Sequence, residues 1–215
     1  MNPRTGCLST QYVAEAGIQS RLLCPYDSPG WLRNDRKDPL GSTGLRRDEL
    51  KGKRELLQHF LASLAYRTQK ALRDAPEEFS EFRVSPDVRT PREIVRHMTN
   101  VLGYARTFFI GGEFRPPSLP TLDQEVVRFH EVLESLSGYF GTGDFSRMSP
   151  KRFLQGPLSD AMTHAGQLAL LRRLSDAPVP PENFIMADIQ ADNVSEHQPD
   201  PVAPDDEWHT PATRA

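Results

Sequence analysis

The chain has 215 residues, 37% hydrophobic and 26% charged, with a formal net charge of −3. That is apolar material for one core of ordinary size with residues left over for tails, and the weakly acidic balance gives no electrostatic basis for a nucleic-acid partner. Cys7 and Cys24 are too few for a disulfide framework, no apolar run reaches the ~18 residues of a membrane span, and the stretch from Met1 to Cys7 lacks a signal-peptide core, so a cytoplasmic protein without a membrane partner is expected.

Residues 1–47 carry Gly, Pro, Ser and Arg without sustained periodicity and are expected to form an irregular or disordered extension. From about Asp48 the helical period takes over. A first helix is predicted to Asp74, with Leu57, Phe60, Leu61, Leu64, Ala71 and Leu72 repeating at three and four residues. A second has the strongest start signal in the chain: Thr90 as N-cap, Pro91 at the first helical position and Glu93 three residues after the cap. Its apolar stripe runs through Ile94, Met98, Val101, Leu102, Ala105 and Phe108, and Gly111-Gly112 stops it. A third, from about Thr121 to Phe140, presents Leu122, Val126, Phe129, Leu133, Leu136 and Phe140 as a bundle seam. A fourth is predicted from near Pro157 to Leu174, with Arg172 and Arg173 in its last turn.

Strand signals are nearly absent, so the expected fold is an all-α four-helix bundle over residues 48–189. That range includes Phe184 and Ile185, apolar residues after the Pro180-Pro181 turn that should dock on the bundle. Residues 190–215 read as an acidic, disordered tail.

Three polar residues stand where apolar ones would be expected. At about 100° per residue His97 falls beside Val101 and Tyr104 at the edge of the second helix's stripe, while Asp160 and His164 align with Leu168 and Leu171 on the fourth. A carboxylate on a buried stripe must be paired, protonated or bound to a cation. Two imidazoles and a carboxylate are the donors that hold a first-row transition metal, and three protein ligands leave positions for water or substrate. The plainer alternative is that Asp160 and His164 hydrogen-bond each other and His97 binds nothing. Tyr104, Gln167 and His130 are candidates for contacting substrate or supporting the ligands; Gly166 is a candidate for close helix packing. His59 lies opposite its helix's apolar face and reads as solvated surface.

The opening of the second helix and the stretch from His164 to Arg173, His-Ala-Gly-Gln-Leu-Ala-Leu-Leu-Arg-Arg, resemble the DinB-like family of small four-helix proteins. The likeness covers roughly residues 49–188. Members carry one metal-binding His on the second helix and an H-x3-H pair on the last, followed by Gly-Gln. His97 matches the first position and His164 the last, whereas Asp160 replaces the middle imidazole with a carboxylate, giving either a harder site or one whose metal binding is weakened or lost. The resemblance implies a divalent metal, with zinc, nickel, iron and manganese the candidates. It also implies a transferase or isomerase that uses a low-molecular-weight thiol on a small-molecule substrate, with hydrolysis a further option. The alternative from another class is a non-catalytic interaction or metal-sequestering module, its apolar seams forming a homodimer.

Overall fold

The computed structural model describes residues 47–203. The expectations of an irregular segment over residues 1–46 and of disorder over 204–215 lie outside the described residues. Helices α1 (Arg47–Leu72), α2 (Pro91–Ile110), α3 (Leu122–Thr142), α4 (Pro150–Phe153) and α5 (Ser159–Leu174) dominate, with a 3₁₀ turn at Glu77–Glu81; among the described residues there is no β-strand. Because α4 runs into α5 through a π turn at Leu154–Leu158, the two form one continuous helix, and the architecture is all-α with four helices.

Local chemistry sets the ends. Thr90 caps α2 through a complete capping box: its Oγ1 accepts the Glu93 amide at 3.3 Å, and Glu93 Oε2 accepts the Thr90 amide at 2.9 Å. Gly111 and Gly112, both at φ 75°, end that helix in a conformation side chains disfavour. Thr121 caps α3 and Ser149 caps α4 in the same manner.

α1 packs on α3 and α5, and α2 packs on the same two helices. The cyclic order is therefore α1–α3–α2–α5, with α1 diagonal to α2 and α3 diagonal to α5. The connections from α1 to α2 and from α3 to α4 make those diagonal crossings. The seams predicted from periodicity form the core: Leu61, Leu64, Met98, Leu102, Phe129, Leu133, Leu136 and Leu168 are fully buried. At one end Phe109, Phe140, Phe145 and Phe153 stack edge-to-face and face-to-face, and Arg54 closes the cluster by donating to the Phe140 and Gly143 carbonyls.

Three expectations need correction. The fourth helix begins at Pro150, not near Pro157. Pro157 lies inside it, tolerated because the wider π turn accommodates a residue with no amide hydrogen, and Ser159 Oγ donates to the Leu154 carbonyl at 2.6 Å. Residues 190–203, expected to be disordered, lie against the bundle, where their backbone carbonyls and one carboxylate meet donors. His130 Nδ1 pairs with the Val194 carbonyl at 2.7 Å, Gln69 donates to Glu196 O, and Arg73 donates to Gln198 O, Pro199 O and Asp200 Oδ1. Finally, Ile185 is 91% exposed, and only Phe184 of the expected pair docks, beneath Arg67 and edge-on to Tyr66.

Candidate metal centre

The capping box fixes where α2 starts, and with it the phase of His97, which faces α5 from the second turn. Asp160 and His164 come from the first turns of α5, one helical turn apart. One ligand-capable atom from each of His97, Asp160 and His164 lies within 4.8 Å of the other two. Donors sharing a tetrahedral ion stand about 3.3–3.8 Å apart, a gap that side-chain rotation can close. The imidazole centroids are 4.6 Å apart with planes tilted by 55°. Asp160 Oδ2 is 3.6 Å from His97 Nε2 and Oδ1 is 3.5 Å from His164 Nδ1. The cluster sits at the α2–α5 seam near the surface: the side chains of His164, His97 and Asp160 are 9%, 18% and 33% exposed.

Hydrogen bonding decides which atoms are available. His164 Nδ1 is 2.8 Å from the Asp160 backbone carbonyl. A carbonyl only accepts, so Nδ1 carries the proton and the Nε2 lone pair is open. The plainer Asp–His pairing is thereby weakened, because the Nδ1 hydrogen goes to the backbone and the carboxylate distances exceed hydrogen-bond length. Asp160 Oδ2 is buried as an atom and has no hydrogen-bond partner. Burial lowers the His97 pKa to about 4, helped by the positive charge of Arg89 and by the neighbouring His164 imidazole and opposed by Asp160. A neutral imidazole, an open Nε2 and an orphaned carboxylate oxygen are a donor set that fits a divalent cation.

The other candidates fall elsewhere. Tyr104 is half-buried and packs edge-to-face on Phe108 at 5.1 Å. Gln167 is exposed rather than capping an internal group, and Gly166 faces open space, so it mediates no close packing. Gly103 instead admits the Phe114 ring from the loop after α2, since a Cβ there would collide with it. His130 is buried by the C-terminal segment it holds: Nδ1 is engaged by the Val194 carbonyl, while Nε2 is buried without a hydrogen-bond partner. His59 is exposed, as expected.

Two residues on α2 or just before it escaped sequence reasoning. Asn100, three positions after His97, holds a buried Oδ1 with no partner; its helical spacing was the available signal. Arg89 acts on His97 through its field, and its place just before the N-cap gives no periodic clue. A cavity of about 1020 Å³ between the end of α1, the 3₁₀ turn, the start of α3 and residues 196–200 is lined by none of the three cluster residues. Among the described residues no helix is long and apolar enough to cross a membrane. No protein-family model matches the chain, and comparisons with curated proteins and with solved structures find no match.

Proposed function

We propose that His97, Asp160 and His164 hold a divalent metal and that the protein is a metal-dependent enzyme of the DinB-like kind acting on a small molecule. The observation that carries this reading is the convergence of three donors from two helices, with Asp160 Oδ2 buried and without a hydrogen-bond partner. A bound ion would acidify a thiol or water at its open positions and so provide a nucleophile near neutral pH without a protein cysteine. The chain's own residues do the rest. The Asp160 carbonyl fixes the His164 tautomer, burial keeps His97 unprotonated at neutral pH, and the exposed flank of Asp160 leaves the centre open to solvent.

Elemental analysis of untagged protein, followed by zinc, nickel, iron(II) and manganese titration of the stripped form, tests this. One high-affinity ion per chain is expected, reduced strongly by His97→Ala or His164→Ala and unchanged by His59→Ala. Indifference of metal content to all three substitutions would remove the proposal. A metal-sequestering module, dimeric through exposed apolar positions such as Leu170 and Leu174, is the second reading. It is favoured by the 1020 Å³ cavity lying away from the cluster. Metal binding without turnover of any thiol-dependent or hydrolytic test substrate would select it.

A further inference from the structure

α1, α5 and the segment after Glu182 border a second cavity, of about 510 Å³. The volume lies within the roughly 300–1,000 Å³ of small-molecule sites. Its walls are mostly apolar: Phe60 from α1, Met162 from α5, and Phe184, Ile185 and Ile189 from the C-terminal segment. The Ser63 hydroxyl at its edge is committed to the His59 carbonyl, and the ionisable side chains that line the space are the exposed His59 and Arg67, of which only the guanidinium is charged at every physiological pH.

Arg67 is poised for a ligand. Its guanidinium lies 3.8 Å from the centroid of the Phe184 ring, which holds it in place without using its N–H groups. Among the described residues it makes no hydrogen bond or ion pair. Glu182, the acid whose field supports it, is engaged by Tyr66 at 2.7 Å and Lys70 at 3.3 Å. Partial burial works against the guanidinium's charge, and at the rim Ile185 is 91% exposed. A partly desolvated planar donor beside apolar walls matches a carboxylate with an apolar body.

We propose that this cavity is a binding site, separate from the His97–Asp160–His164 centre, for a small amphipathic carboxylate. Arg67 would take the carboxylate, and Phe60, Met162 and Ile189 would cover the chain, with Ile185 closing over it.

Calorimetric titration of the full chain with sodium octanoate and with 1-octanol tests this. Saturable one-site binding of octanoate, at least tenfold tighter than that of octanol, is expected. Arg67→Met should abolish the preference. Ile185→Glu alters an exposed side chain, so the fold is kept while a like charge is placed at the mouth; it should weaken octanoate about tenfold. His97→Ala should leave the affinity unchanged, which separates this site from the metal centre. Absence of saturable binding, equal affinity for the two probes, unchanged octanoate affinity in Ile185→Glu, or loss of binding in His97→Ala would each overturn the proposal.

Discussion

At His97 burial outweighs the attraction of the Asp160 carboxylate, and the pKa falls from 6.5 to about 4. Between those values the unfolded chain binds a proton that the folded chain does not, so protonation favours unfolding. Stability of the metal-free protein should therefore be full above about pH 6.5 and decline as pH drops towards 4. His130, lowered mainly by burial, acts in the same direction. Urea unfolding of chelator-treated protein across this range should show a shallower pH slope in His97→Gln and in His130→Gln than in the parent. A parallel slope in both would refute the assignment. Asp160 offers a complementary comparison: Asp160→His restores a three-imidazole set and should retain zinc, whereas Asp160→Leu should lose it and stabilise the metal-free bundle, since an unpartnered buried oxygen is removed. The grouping of His97, Asp160 and His164 was legible because helical phase alone puts them on inward stripes. The His164 tautomer was not, since it depends on a backbone carbonyl that carries no side-chain signature.

The helices differ in how openly their boundaries are written. The capping box of α2 was readable residue by residue, and Thr90→Ala should lower stability by about 1 kcal/mol in denaturant titration. Pro157 misled because a proline inside a helical pattern normally marks a first turn, whereas here a π turn carries it. The C-terminal segment misled beyond Gln190, and for a different reason: hydrogen bonds from Gln69, Arg73 and His130 hold it, while Val194 supplies little apolar pattern. Glu182 is its deepest anchor, with its side chain 0% exposed between Tyr66 and Lys70. Glu182→Ala would leave Lys70 buried without its counter-ion and should destabilise the protein by roughly 3–5 kcal/mol. Truncation after Ser175 should lower the melting temperature at least as much as that single change. A tail that could be removed without thermal effect would contradict these contacts.

At the level of the whole molecule, the number of helices and the position of the core followed from spacing alone. The cyclic order did not, because loop length permits a crossing without requiring one. The centre joins α2 to α5, neighbours in space separated in sequence by α3. An ion that binds only the folded form should stabilise it by about 2.7 kcal/mol at a hundredfold excess over Kd. Zinc should therefore raise the melting temperature of the parent and leave that of His164→Ala unchanged. The arrangement of α2, α3 and α5 also carries a mechanical consequence. An ion gripped at once by residues 97 and 160 would act as a removable cross-link that ties off the whole of α3 as a loop. Stretched from its ends in an optical trap, the loaded protein should therefore unravel to a shorter contour until a chelator is added, and the length then released would be that of the chain between the two ligands.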